Sequence, residues 1–367
     1  MNQAIIIGSI GLWRKFLKDT LEEEGINTIC FVDTVESGMS YSGVPIITPE
    51  ELPRYTKGFN GLVLVTFPVN NSRRQVFLDK VLGYFEKPVH VLSFKEVYKK
   101  YKNTLLKARN VGDFWLRENY DKNRALSVID LLSDEKSKHI VESWIKFRET
   151  LDIDYLVEPE EPQYLPDDLE LQRFIPNEYS FLDVGAFVGD TYLFIKKKLA
   201  EYGKKLVLYT GIEADQKNFS ELVKTVQNAK NEDEKDILLN IACFSQNTFL
   251  EFSETGTTLS SVSSFGQKNN ESHKIKVFAN ALDTTFKGFR FDIVKVDVEG
   301  SDIECLSGMK EVLVNSRAIV MACLYHRPED VYEIPEFFED LFDDYSFFVR
   351  AHGTFYIDTV LYAIPKP

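Results

Sequence analysis

The sequence predicts an α/β protein of two separate units, each a mostly parallel sheet covered by helices on both faces. Three observations lead there. Short apolar runs alternate with segments of helical periodicity from residue 4 to about 95. The alternation lapses between 96 and 170 and resumes from 180. The runs themselves are not interleaved with polar residues, as they are when one sheet face meets water, so both faces are buried.

In the first unit, residues 1–95, AIIIG (4–8) is a strand stopped by Gly8. Residues 12–24 carry apolar side chains at 12, 13, 16, 17 and 21, a helical spacing, and Gly25 ends the helix. TICFVD (28–33) is a second strand ending in Asp33, GLVLVT (61–66) a third, residues 72–85 a helix and VHVLS (89–93) a fourth strand. Residues 96–170 read as a helical connector that closes on EPEEPQYLPDDLE (158–170), where three prolines exclude a regular helix.

The second unit, residues 171–367, opens with a strand and Gly-rich turn (180–190) and a helix (191–203). A strand (205–215) and a helix starting at Asn218 follow. Strands are then expected at 237–245, 248–253, 275–283, 291–302 and 318–326, and a helix after Pro328. The tail from Ser346 reads as an antiparallel hairpin. No repeat or low-complexity tract interrupts this order.

Composition narrows the function. With 43 Lys+Arg against 57 Asp+Glu the net charge is −14. That argues against a broad nucleic-acid surface or adsorption to anionic lipid. No run of 18 apolar residues suggests membrane insertion, and the start lacks the basic flank of a signal peptide. The four cysteines, Cys30, Cys243, Cys305 and Cys323, are too scattered for a disulfide framework or a structural zinc site, so a reducing, cytoplasmic setting is expected.

Three strand-end motifs carry the chemistry. In FLDVGAFVGD (181–190), an apolar strand runs through Asp183 into Gly185, Ala186 and Gly189. Small residues let backbone pass close to a ligand; the alternative is a plain turn. In GIEAD (211–215), Glu213 sits at a strand tip, where a carboxylate can bind ribose hydroxyls; the alternative is a solvated acid. In KVDVEG (295–300), Asp297 and Glu299 alternate with valines, which places both carboxylates on one side of a strand. They suit hydrogen bonding to a hydroxyl, proton abstraction or a cation; the alternative is one ion pair and one helix cap.

Together with CLYHRPEDVYEIP (323–335), these segments resemble the FkbM-type S-adenosylmethionine-dependent methyltransferases. LSDEKS (132–137) and QYLPDD (163–168) extend the likeness toward residue 110. The resemblance implies a seven-stranded class I methyltransferase (Rossmann-like) sheet with a reversed last hairpin. It implies S-adenosylmethionine as cofactor, with Asp183, Gly185, Ala186, Gly189 and Asp190 around its amino-acid end. Glu213 would hold the ribose, and Asp215, Asn218 and the loop reaching Ala242 would lie near ribose or adenine. The expected reaction is O-methylation of a sugar or nucleotide sugar, in bacterial surface-polysaccharide synthesis. His326 and Asp297 are the candidate bases and Glu299 completes the catalytic set; no metal is expected. A homo-oligomer is compatible with the sequence.

Other features are weaker. TTLSSVSSFG (257–266) is either a lid or a solvated loop. Arg350 and His352 read as exposed hairpin residues, with a substrate-facing role as alternative. The first unit resembles the small Rossmann-like domains of sugar-modifying enzymes. Its Gly8 and Gly11 depart from G-x-G-x-x-G, since Ile10 and Trp13 stand at the other Gly positions. Two rival functions follow from that unit: a nicotinamide-dependent oxidoreductase, and a non-catalytic nucleotide-sugar binding protein.

Overall fold

The computed structural model describes residues 2–8, 12–34, 37–67, 69, 72–106, 120–254, 261–262 and 273–367. The chain divides into two units, residues 1–118 with 151–154, and residues 119–150 with 155–367.

The apolar runs of the first unit form β1 (Gln3–Ile7), β2 (Asn27–Val32), β3 (Ser40–Tyr41), β4 (Val44–Ile47), β5 (Leu62–Val65) and β6 (His90–Leu92). They make one six-stranded sheet in the order β3-β4-β2-β1-β5-β6. Alternate side chains of β1 enter opposite layers, because successive residues of a strand point to opposite faces. Ala4 and Ile6 pack with Leu17, Leu21 and Val97, whereas Ile5 and Ile7 pack with Val63 and Val81. Helices Leu12–Glu23 and Phe94–Leu106 thus cover one face and helix Ser72–Leu82 the other.

The second unit adds β7 (Glu178–Val184), β8 (Lys205–Ile212), β9 (Lys235–Leu239), β10 (Ala242–Cys243), β11 (Thr248–Glu254) and β12 (Ser261–Val262). It continues with β13 (His273–Asn280), β14 (Ile293–Val296), β15 (Ile319–Cys323), β16 (Tyr345–Ala351) and β17 (Thr359–Pro365). Seven of these form a sheet in the order β16-β17-β15-β14-β7-β8-β9. Only β17 is antiparallel to its neighbours, which is the reversed closing hairpin expected from the sequence. Tyr179, Phe181, Ile293 and Met321 pack on one face against Tyr192, Ile195, Leu222 and Val226. These last come from helices Asp190–Ala200 and Gln216–Ala229.

Three departures from the sequence reading have local causes. The strand expected over 237–245 breaks at Asn240–Ile241 into β9 and β10, because the Asn240 side chain turns back to donate to the Glu213 carbonyl at 2.8 Å. The strand expected over 275–283 is β13, which stands outside the seven-stranded sheet in a small sheet ordered β10-β13-β11-β12. The segment 96–170 is not a single connector. Its first helix, Phe94–Leu106, belongs to the first unit, and its second, Glu135–Thr150, belongs to the second. That second helix lies along β16, where Ser137 Oγ accepts from the Val349 N–H at 2.8 Å and Ser133 Oγ, just before it, from Phe347 N–H at 2.9 Å. The edge strand's backbone is thereby satisfied and covered.

Candidate active site

The C-terminal ends of β7, β8, β14 and β15 bring the predicted residues to one edge of the sheet, where parallel α/β sheets bind ligands. Beyond β7 the chain turns sharply at Gly185, whose φ is +80. A Cβ there would lie 1.7 Å from the Asp297 carbonyl oxygen, so only glycine lets the turn rest against the end of β14. Gly189 is also left-handed, at φ +84, and leads into helix Asp190–Ala200 with no side chain capping the first turn. Ala186 is buried and Asp190 exposed.

Glu213, one residue past β8, ties the second strand tip to this turn. Its Oε2 accepts from the Phe187 N–H at 2.9 Å and its Oε1 from the Asp215 N–H at 2.7 Å. Burial raises its pKa to about 7 against the pull of those two N–H groups. Asp215 caps helix Gln216–Ala229 by accepting from Lys217 and Asn218 N–H, and Asn218 is itself buried. Ala242 is buried in β10.

Asp183 already has a cationic partner within the chain. Its Oδ1 lies 3.1 Å from Lys295 Nζ, and its Oδ2 accepts from the Tyr209 hydroxyl at 3.1 Å. Lys295 also donates to the Gly185 carbonyl at 2.6 Å and lies 3.7 Å from Asp297 Oδ2. Burial opposes the lysine's charge, but Asp183 and Asp297 outweigh it and raise its pKa.

Asp297, Glu299 and His326 converge, though not in the way strand alternation implies. β14 ends at Val296, and Glu299 sits in the following turn with φ +53. His326 Nε2 lies 3.2 Å from Asp297 Oδ1 and 3.8 Å from Glu299 Oε2. Behind the ring, Nδ1 is 2.7 Å from Asp302 Oδ2. Asp302 in turn accepts from the Val298 and Gly300 N–H groups, which fixes the turn. Tyr164 donates to Asp297 Oδ2 at 2.8 Å.

These neighbours set the charges. Burial opposes ionisation of Asp297, but Lys295 and His326 outweigh it and hold its carboxyl well below the usual range. Burial would lower the His326 pKa; Asp302 first, then Asp297 and Glu299, raise it well above the ordinary value. Glu299 is pushed up to about 8 by burial, with His326 pulling the other way. The cluster therefore offers an anionic carboxylate and groups that exchange protons. Its three donor atoms lie within 4.8 Å of one another, close enough to share a cation.

Sequence reasoning missed Lys295, Asp302 and Tyr164. A lysine inside an apolar run of a two-sided sheet was the available signal for the first. Two predicted surface residues are corrected. Arg350 is 1% exposed and bonded to Asp134 and Asp168, and both ring nitrogens of His352 are engaged, by Glu160 O and Tyr362 Oη at 2.8 Å each. Neither is an exposed hairpin residue. The expected lid, 257–266, lies outside the described residues except for Ser261–Val262. In the first unit Gly11 is outside them too, and the Phe67 ring packs against Gly8.

A parallel sheet with a reversed terminal hairpin, and acids gathered at its strand ends, define the class I methyltransferase fold. Residues 183–353 match the family model described as the methyltransferase FkbM domain. The chain is similar in fold to the crystal structure of methyltransferase FkbM from Methylobacillus flagellatus KT. That likeness has a TM-score of 0.60 at 17% identity and covers 99% of this chain and 90% of that one. A structure of RSP in complex with beta-NAD+ and operator DNA is similar over 29% of this chain and 59% of that one, at 17% identity and a TM-score of 0.21. No curated protein sequence matches. Among the described residues, no helix is long and apolar enough to cross a membrane.

Proposed function

We propose that the second unit transfers a methyl group from S-adenosylmethionine to a hydroxyl oxygen of a sugar or nucleotide sugar, as a step in building a surface polysaccharide. The observation that carries this reading is the contact of the Gly185 turn with the end of β14, which sets a ligand cradle directly beside Asp297, Glu299 and His326.

The residues fit the cofactor. The uncapped first turn after Gly189 suits a carboxylate, and Glu213 presents a carboxylate beside the same turn for ribose hydroxyls. Asp190, Asn218 and Ala242 would border the rest, with Asp215 holding its helix in place. When bound, S-adenosylmethionine would supply an electrophilic methyl carbon. Asp297, kept ionised by Lys295 and His326, would accept the hydrogen bond of the acceptor hydroxyl and take its proton as the oxygen is methylated, and the His326–Asp302 pair would hold that carboxylate in place. Clustered carboxylates are suited to a polyhydroxylated acceptor, since each oxygen accepts hydrogen bonds from sugar hydroxyls.

The test is calorimetry with S-adenosylhomocysteine, followed by incubation with S-adenosylmethionine and a pool of sugar nucleotides. Micromolar binding and acceptor-dependent release of S-adenosylhomocysteine are expected. Protein that is free of prebound ligand yet binds nothing would overturn the proposal.

A further inference from the structure

We propose that Asp297, Glu299 and His326 hold a divalent first-row transition-metal ion. The argument begins with the histidine. Its side chain is 5% exposed, and its Nε2 is buried without a hydrogen-bond partner while aimed at the two carboxylates. Its other nitrogen faces the fully buried Asp302 at 2.7 Å. A metal ion would displace the proton that Nε2 carries in the metal-free ring and take its place between the imidazole and the Asp297 and Glu299 oxygens, with the Nδ1–H still donated to Asp302. A carboxylate behind the far nitrogen is what orients metal-binding histidines in general.

The spacing fits. Metal–donor bonds of about 2.1 Å set neighbouring donors about 3.0 Å apart around an octahedral ion and about 3.4 Å around a tetrahedral one. Nε2 lies 3.2 and 3.8 Å from the two carboxylate oxygens. Charge fits as well. Lys295 is paired with Asp183 and Arg327 with Asp330. Once metal binding has displaced the Nε2 proton, Asp297, Glu299 and Asp302 surround a neutral ring, and Lys295 reaches Asp297 only at 3.7 Å. One nitrogen and two carboxylate donors favour Mn²⁺, Fe²⁺, Co²⁺ or Zn²⁺ over Ca²⁺, which takes oxygen ligands. Three protein donors also leave positions for the hydroxyl oxygens of an acceptor. That use of the cation rests on the methyl-transfer reading; the binding site does not.

The experiment is calorimetric titration of chelator-treated full-length protein with MnCl₂, ZnCl₂ and CaCl₂, alongside S-adenosylhomocysteine. One equivalent of Mn²⁺ or Zn²⁺ is expected to bind, Ca²⁺ more weakly, with affinity falling about 10- to 100-fold in Glu299→Gln and His326→Gln. Circular dichroism and a cooperative thermal unfolding transition certify that each variant is folded. Absence of saturable Mn²⁺ and Zn²⁺ binding, or binding unchanged in both folded variants, overturns the site. Cation binding without S-adenosylhomocysteine binding keeps the site and removes methyl transfer. The reverse result removes the cation alone.

Discussion

Lys295 and Asp183 stand opposite each other on neighbouring parallel strands, with Nζ 3.1 Å from Oδ1 and both side chains buried. The pair does more than neutralise charge. The same ammonium holds the Gly185 carbonyl, so the turn that forms the cradle and the strand that carries Asp297 are joined through one side chain. Removing the cation would leave Asp183 buried without its counter-charge, which is costlier than removing both partners.

Lys295→Met is accordingly expected to lower the unfolding free energy by about 3–5 kcal/mol, measured by urea titration. Lys295→Met combined with Asp183→Asn should recover part of that loss, because no uncompensated charge remains. Additive losses in the double variant would show that the two groups do not interact.

Glu213 predicts a pH dependence of cofactor affinity. Its carboxyl is raised to about 7 by burial, and only the ionised form accepts from ribose hydroxyls through both oxygens. Affinity for S-adenosylhomocysteine should hold above that value and weaken as pH falls through it, by up to about tenfold per pH unit. Glu213→Gln should bind weakly and without this dependence. A wild-type profile flat from pH 6 to 8, roughly one unit either side of the raised value, would remove Glu213 from the cofactor's contacts.

Gly185→Ala tests the cradle itself. The added Cβ meets the Asp297 carbonyl oxygen at 1.7 Å and sits on a backbone at φ +80. Backbone must move, and the cost is expected to exceed about 2 kcal/mol. Gly203, at φ +71 with nothing within 4 Å, is the control; its alanine variant should lose only about 1 kcal/mol. Thermal unfolding of the two variants gives the comparison, and equal losses would show that the contact with Asp297 is irrelevant.

The seven-stranded sheet was legible because parallel strands buried on both faces leave continuous apolar runs, as in Ile293–Val296 and Ile319–Cys323. Two-residue strands leave no such trace. Ser40–Tyr41 and Ala242–Cys243 exist through pairing with Val44–Pro45 and Ala279–Asn280, the first across a Ser42–Gly43 turn with both φ values positive. In the site, the acids at strand tips were visible from spacing, but their partners were not. Lys295 meets Asp183 through strand register, and Asp302, which opens helix Asp302–Ser307, meets His326 in the bend after β15. Tyr164 comes from the proline-rich stretch that reads as a linker, yet its N–H donates to the Tyr362 hydroxyl and its own hydroxyl to Asp297.

Arg350 gives a prediction about acid stability. It is buried on β16, where Nε bonds Asp168 Oδ2 at 2.9 Å and Nη2 bonds Asp134 Oδ2 at 2.7 Å. Burial opposes ionisation of both acids, but Arg350 outweighs it and lowers their pKa values below the ordinary 3.8. Because the folded values are depressed, the stabilisation is present above the unfolded pKa and is lost as pH falls through the lower, folded ones. Wild-type stability should therefore decline below about pH 4. Arg350→Met should lose about 2 kcal/mol at neutral pH and show a shallower acid decline. Urea unfolding of both proteins at pH 7 and pH 3, either side of the ordinary carboxyl range of roughly 4, measures this directly. An equal drop between the two pH values in wild type and variant would mean that Arg350 does not hold the two carboxylates ionised.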